Sequence, residues 1–480
     1  MKSELRSGVM SIDEAARACG GRVVRVGEPR PFFSALCTDS REGGEGVLFV
    51  ADVGERADGH DYMASAMALG TRHFLCSRIP DGVYERGEPF AAIVTEHPFL
   101  AIAPIAALYR ERVKPLCVAV TGSVGKTTTK EFVWSVLSRL AKTHKTEGNF
   151  NSVVGMPMSL FSLEPDDRAT VLEMGMSARG EIAHMTRAAA PDMAIITNVG
   201  NAHIELLGSR ENICRAKFEI AEGLGENGLL ILNGDDPYQR EYADRLTEAK
   251  KVWVAIEWEG ADLRATHLRS DAAGTVFDVV CAGRVYSDVR IPMTGTHAVY
   301  DALFAVAVGM GVKLEFEDIR RGLAGFKTVG MRQNIYALGG VTVIEDCYNA
   351  NPESMTAALE VLASLTPTAG GRRIAVLGDM RELGEGAPAF HEALGRQVAE
   401  KGIDYLFAYG PMAVHMARGA REGGLPAHRL HVNADVAAPE VTGEVLRSLL
   451  GEGDVMLVKA SRSVAAECII EYIKENGTWG

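Results

Sequence analysis

The sequence has little that would carry it into or across a membrane. Its longest apolar run, near Phe99–Tyr109, is far short of the ~20 residues that span a bilayer. The start, MKSELRSGVMSIDEAARACG, lacks the apolar stretch of a secretion signal. The eight cysteines (Cys19, Cys37, Cys76, Cys117, Cys214, Cys281, Cys347 and Cys468) include no CxxC pair. That speaks against a zinc ribbon or a disulfide scaffold and for a reducing compartment. Positive charge is in short supply: 50 Lys and Arg against 63 Asp and Glu leave a net −13. Such a surface offers no general footprint for nucleic acid. Anionic substrates would have to be held by local Lys, Arg, backbone N–H groups or metal. Repeats and low-complexity tracts are missing as well. These absences predict a cytoplasmic protein with no membrane span and no nucleic-acid partner.

What is present is an ordinary globular composition, 47% hydrophobic and 24% charged. At roughly 150 residues per domain, the length suggests about three domains. Ser11-Ile-Asp-Glu14 is a capping box opening a short amphipathic helix. Apolar runs at Phe32–Leu36, Val47–Val50, His73–Cys76 and Ala91–Thr95 follow, and a helix is expected near 100–112, giving a small α/β domain. After Pro115, runs at Leu116–Val120, Thr170–Glu173, Met193–Asn198 and Leu229–Asn233 alternate with helical stretches. That alternation implies a parallel, doubly wound sheet, with ligands collecting beyond the carboxyl ends of its strands. A third alternation begins near Gly339 and reads as a Rossmann-like sheet through Val455–Lys459. The expected fold is therefore α/β in three domains, 1–113, 114–328 and 329–480.

The strongest motif is Thr121-Gly122-Ser123-Val124-Gly125-Lys126-Thr127-Thr128, with a strand leading in and a helix leading out. Glycines let backbone N–H groups close around an anion at a helix N-terminus. Lys126 can neutralise phosphate charge, and the Thr127 hydroxyl can ligate Mg²⁺. The general pattern GxxxxGK[ST] would put glycine at position 120, where Val120 stands, so the loop is a shortened form. Glu173 ends the next apolar strand, His203 and Glu205 follow the one after, and Lys217 lies in a helical stretch. Taken singly, each has a plain structural reading as a cap, a hydrogen-bonder or a surface charge. Their order behind a phosphate loop makes them candidates for a nucleotide and metal site.

This central segment resembles the ATPase domain of the Mur ligase family, whose phosphate loop has the compact form GxxGK[ST]. The resemblance implies that Glu173 and His203, with Thr127, hold two Mg²⁺ ions. It also implies that Lys217 is carbamylated by CO₂ and so gains a metal-orienting carboxylate. Lys126, His203, Lys217 and Arg332 are its implied catalytic residues. Gly122 to Thr128, Asp301, Arg332 and Asp346 are implied to bind ATP, Asp346 at the ribose. The segment Glu345-Asp346-Cys-Tyr348-Asn349-Ala350-Asn351-Pro352-Glu-Ser354-Met355 is similar to that of the branch joining D-alanyl-D-alanine to UDP-MurNAc-tripeptide. Without that context Asn-Pro after a strand is only a turn with capping potential. Thr38-Asp39-Ser40-Arg41 resembles the family's UDP-binding element, and Gly378–Gly384 with His391 and Lys459-Ala-Ser461-Arg462 resemble elements of its third domain.

The resemblance covers the whole chain and implies an acyl-phosphate amide ligase working as a monomer. UDP would be met by Asp39, Ser40 and Arg41. The peptide and dipeptide would be met by Asn149, Asn151, Tyr348, Asn349, Asn351, Ser354, Lys459 and Ser461. One departure stands out: the family's GxHNxxN, which approaches the adenine, is here Gly295-Thr-His297-Ala298-Val-Tyr-Asp301. Ala298 cannot hydrogen-bond a base, and an ionised Asp301 offers acceptors only. A sibling ligase adding a single amino acid, a folylpolyglutamate synthetase and a catalytically silent nucleotide-binding relative remain alternatives. The absence of an NKxD motif disfavours a GTPase.

Overall fold

In the computed structural model, residues 1–54, 57–245, 249–271, 273–368 and 370–477 are described. Three large sheets follow one another along the chain, and a small two-stranded one pairs Met10–Ser11 with Phe32–Phe33. Consecutive apolar runs become strands buried on both faces, as a sheet covered on both sides requires: Val47–Ala51, His73–Cys76 and Val455–Lys459 are buried throughout. The first sheet orders Lys2–Glu4, Ala35–Cys37, Val47–Ala51, His73–Cys76, Phe90–Val94 and Arg22–Val26, with antiparallel strands at its two edges. The third runs Asn334–Leu338, Val341–Asp346, Val455–Lys459, Arg373–Gly378, Tyr405–Tyr409 and Leu430–Asn433, parallel after the first. The Ser11 capping box forms as expected: Ser11 Oγ accepts from Glu14 N at 3.1 Å, and Ser11 N donates to Glu14 Oε2 at 3.0 Å.

The middle sheet departs from the expected all-parallel form. Thr143–Lys145, Ala169–Glu173, Leu116–Thr121, Met193–Ile196, Leu229–Asn233 and Lys250–Ala255 are parallel, in that order. Leu263–Asp271, Gly274–Cys281 and Arg284–Ile291 then extend the sheet as an antiparallel meander. The last turn uses Ala282 and Gly283, both at positive φ, which matches the right-handed strand twist of a two-residue hairpin. The outer ends of these strands are exposed, so they lack the apolar run that marked the others.

The strand Leu116–Thr121 lies between Ala169–Glu173 on one side and Met193–Ile196 on the other. The chain switches direction across the sheet here and leaves a crevice at the carboxyl ends. The helix Lys126–Leu137 leaves that crevice, and the almost wholly buried helix Thr296–Gly311 packs beside it. The helix Pro98–Arg110 ties the first sheet's core to the middle one, with Tyr109 against Phe161 at 5.5 Å between ring centroids. Among the described residues no helix is long and apolar enough to cross a membrane.

Phe132 is fully buried and stacks on Phe326 at 3.8 Å. Phe132→Ala is expected to cost about 3–5 kcal/mol, whereas Val285→Ser, at a side chain 59% exposed, should stay within about 0.5 kcal/mol. Thermal melts followed by circular dichroism check this; equal midpoints for the two variants would contradict the packing.

Candidate active site

The phosphate loop closes as its glycines demand. Gly125 sits at φ +84° and caps the helix Lys126–Leu137, a backbone conformation that costs L side chains energy. A Cβ there would meet Asp301 Oδ1 at 2.7 Å, and one at Gly122 would meet Thr197 Oγ1 at 1.8 Å. The loop is braced from the neighbouring strand end: Ser123 N donates to Asn198 O at 3.0 Å and Val124 N to Asn198 Oδ1 at 2.9 Å. These two N–H groups, expected to face phosphate, are thus taken by Asn198. Anion binding rests with the N–H groups of the helix's first turn, which have no partner within the helix. Lys126 Nζ donates to Gly122 O at 2.8 Å. Its enclosure pushes the ammonium pKa down and Arg332 adds to this, while Glu173 and Glu382 pull the other way.

Beside the loop stand hard oxygen donors. Thr127 Oγ1 donates to Glu173 Oε2 at 2.9 Å, and Asn151 Nδ2 donates to Glu173 Oε1 at 2.8 Å. Lys130, which the motif reading passed over, lies buried 3.6 Å from Glu173. His203 takes the left-handed conformation at φ +65° and pairs through Nδ1 with Glu382 at 2.6 Å. That pair holds the Glu382 carboxyl below its ordinary range. No group of three or more His, Cys, Asp or Glu lies close enough to hold a metal among the described residues. The Thr127 hydroxyl and Glu173 carboxylate are the hard oxygen donors that suit Mg²⁺, which takes one or two protein ligands and completes its shell with phosphate oxygens and water.

A cavity of about 610 Å³ joins these groups to the third sheet's elements. Gly125 to Thr128, Asn149, Asn151, Glu173 and His203 line one side; Arg332, Asp346, Tyr348, Asn349, Asn351, Ser354, Glu382 and Lys459 line the other. The Arg332 guanidinium stacks over the Tyr348 ring at 3.7 Å. Lys459 Nζ donates to Asp346 Oδ2 at 2.7 Å and to Asn349 O at 2.9 Å. Asn351 and Ser354 form a capping box for the helix Pro352–Ser364, each side chain bonded to the other's backbone N–H. The capping potential of the Asn-Pro turn is therefore realised, and the same two residues still face the cavity.

Several expected site residues lie elsewhere. Asp39 caps the short turn Ser40–Glu42 and pairs with Arg41, whose hydrogen bonds hold its pKa at about 2. Asp39, Ser40 and Arg41 belong to the first sheet's end, outside the cavity wall. Lys217 is buried in the helix Arg210–Phe218, near enough to Lys126 for their charges to repel, and is not one of the residues lining the cavity. Its side-chain amine has no hydrogen-bond or ion-pair partner among the described residues, and burial pushes its pKa well down. Ser461 is buried behind the wall, accepting from Arg381 N at 3.1 Å. Glu205 is exposed. Ala298 packs in the middle apolar core, while His297 bonds Gln333 at 2.8 Å and so anchors the Arg332 segment. Asp301 reaches the cavity and accepts from the Thr129 hydroxyl at 2.7 Å.

Comparisons with known proteins bear on the family of the chain. The Mur ligase middle domain matches residues 120–309, and the Mur ligase, glutamate ligase domain matches 331–462. The chain is 34% identical to the UDP-N-acetylmuramoyl-tripeptide–D-alanyl-D-alanine ligase of Bacillus subtilis over 92% of this chain and 93% of that one. It is 35% identical to the Escherichia coli protein of the same name over 93% and 95%. MurF from Acinetobacter baumannii superposes with a TM-score of 0.88 at 30% identity, covering 98% of this chain and 100% of that one. The MurF ligase of Thermotoga maritima, solved in complex with ADP, superposes at 0.78 with 29% identity over 92% and 97%.

Burial raises the Asp301 carboxyl from 3.8 to about 7, the Thr129 hydroxyl opposing it. The folded protein thus holds a proton that the unfolded chain has lost, and stability from this group falls as pH rises from 3.8 to about 7. Asp301→Asn, which keeps an acceptor for Thr129, should flatten that slope in thermal midpoints taken across the range. An equally steep fall in the variant would contradict the assignment.

Proposed function

This chain belongs to the Mur ligase family, and from that premise we propose how its cleft joins D-alanyl-D-alanine to the terminal carboxylate of UDP-MurNAc-tripeptide at the expense of ATP. The protein is an ATP-dependent peptide ligase of peptidoglycan synthesis. One observation carries the reading: the phosphate loop and the segment Asp346–Ser354 meet across one cavity, in a chain alike over more than nine-tenths of its length to ligases of that name.

The proposed division of labour follows the chain. Residues 1–113 take the UDP-linked substrate through Asp39, Ser40 and Arg41. Residues 114–328 bind ATP, and residues 329–480 bring the dipeptide and close over the nucleotide. The working unit is a single chain in the cytoplasm, which itself supplies every group named. The carboxylate attacks the γ-phosphorus of ATP; a P–O bond forms, the bond to ADP breaks, and an acyl phosphate results. The dipeptide amine then attacks the acyl carbon, phosphate leaves and a proton is lost. The barrier to the first step is repulsion between carboxylate and triphosphate, which positioned charge lowers. Lys126 and the first-turn N–H groups hold the phosphates, with Arg332 reaching them from the third domain and Asp346, fixed by Lys459, at the ribose. Mg²⁺, when bound, would supply further charge neutralisation to the phosphates. Its two sites draw on Thr127, Glu173, His203 and a carbamate on Lys217. Closing the third domain over this cavity excludes water from the acyl phosphate.

Burial of Lys217 supports the carbamate. It favours the neutral amine, the form that adds CO₂ to give a carbamate and a proton. Activity should fall in CO₂-depleted buffer and return with bicarbonate, while Lys217→Arg stays inactive in both; full wild-type activity after depletion would contradict the modification.

The ligase reading is tested by phosphate release from ATP and Mg²⁺ with each UDP-MurNAc-tripeptide, with and without D-Ala-D-Ala, the products being weighed by mass spectrometry. Release requiring both substrates, with a UDP-MurNAc-pentapeptide product, is expected, and the better tripeptide identifies residue three as meso-diaminopimelate or lysine. ATP binding without release in any combination would overturn the enzyme reading; release with a free amino acid would move the protein to a sibling ligase.

A further inference from the structure

The segment after the strand Met193–Ile196 is fastened on two sides. Toward the middle domain, Gly200 N donates to Ser123 Oγ at 2.8 Å, Val199 N to Asp236 Oδ2 at 2.7 Å, and Arg210 to Val199 O at 2.5 Å. Toward the third domain it meets Glu353, in the first turn of the helix Pro352–Ser364. Glu353 Oε1 accepts from Asn201 N at 2.9 Å and from Asn201 Nδ2 at 2.7 Å. Gly200 lies flat against the same carboxylate: a Cβ there would stand 2.7 Å from Glu353 Cδ and 2.9 Å from each of its oxygens. Two residues beyond Asn201 comes His203, in its left-handed conformation and paired with Glu382.

Resting on the ligase reading above, we propose that Glu353 is a positioning residue for the ligation step. It locks the His203-bearing segment onto the third domain, so that the dipeptide amine and the acyl phosphate meet in register. Glu353 does not line the cavity and acts through Asn201 and Gly200. Bonds from N–H groups to a carboxylate are the stronger kind. Removing this acceptor leaves two Asn201 donors unsatisfied at a domain junction. The other carboxylate oxygen, Oε2, is buried without a hydrogen-bond partner among the described residues. What the junction uses is therefore the single acceptor oxygen, which a glutamine retains.

Three variants test this in the full chain: Glu353→Ala, Glu353→Gln and Gly200→Ala. Glu353→Ala should lower kcat/KM for D-Ala-D-Ala about tenfold or more, with KM for the UDP-tripeptide held within about twofold, because the loss falls on the approach of one domain and not on the first domain's substrate. Glu353→Gln should recover most of that loss. Gly200→Ala, whose methyl group displaces the carboxylate, should reproduce the Glu353→Ala defect, and the double variant should be no worse than either. Hydrogen exchange of the nucleotide-free protein gives a readout independent of turnover: residues 199–207 should exchange faster in Glu353→Ala and Gly200→Ala, but not in Glu353→Gln. Wild-type kinetics and exchange in Glu353→Ala would overturn the proposal, as would a Glu353→Gln variant as impaired as Glu353→Ala. A wild-type protein that fails to ligate would overturn the ligase reading instead.

Discussion

The arrangement depends on the hydrogen bonds that clamp the phosphate loop to the end of the neighbouring strand. Asn198 takes the N–H groups of Ser123 and Val124 through its carbonyl and side-chain oxygens, and Thr197 leaves no room for a side chain at Gly122. The loop is therefore braced by the protein itself, and its open N–H groups are those of the helix's first turn. The same strand end runs on into Gly200, Asn201 and His203, which face the third domain. One short stretch of backbone thus registers the phosphate loop, the His203 ring and the facing domain against one another.

Charge is distributed to suit that geometry. The protein as a whole is acidic, yet Lys126 and Arg332 converge on the cleft, with Lys459 bound to Asp346 at its far wall. Enclosure moves Lys126 and Lys217 toward the neutral amine and Asp301 toward the protonated acid. Each shift follows from the difficulty of keeping an unpaired charge in a poorly solvated space. Glu173 and Glu382, by contrast, have donors within hydrogen-bond reach.

Much of the fold was legible because buried parallel strands are continuous apolar runs. Leu229–Asn233 and Val455–Lys459 fall where the runs lie. The antiparallel meander was not legible, because its strands are half exposed and its last turn is Ala-Gly, a weak signal. In the site, Gly125, Lys126, Thr127 and Glu173 could be read from a contiguous motif and a strand end. Asn198, Lys130 and Glu353 could not: their roles arise from contacts across strand and domain ends. Glu382 stood inside a recognisable motif, but its partner His203 is about 180 residues away in the chain, a pairing that no local pattern encodes. Ala298 and Asp301, neighbours in one motif, part company in space: one enters the core and the other reaches the cavity.

The central claim is that nucleotide is held jointly by the phosphate loop and the third domain. A crystal structure of the protein with a non-hydrolysable ATP analogue and Mg²⁺ tests it most directly. The triphosphate should lie against the first turn of the helix Lys126–Leu137, with Arg332 on its phosphates and Asp346 at the ribose. A nucleotide bound elsewhere, or bound with Arg332 and Asp346 out of reach, would contradict the account.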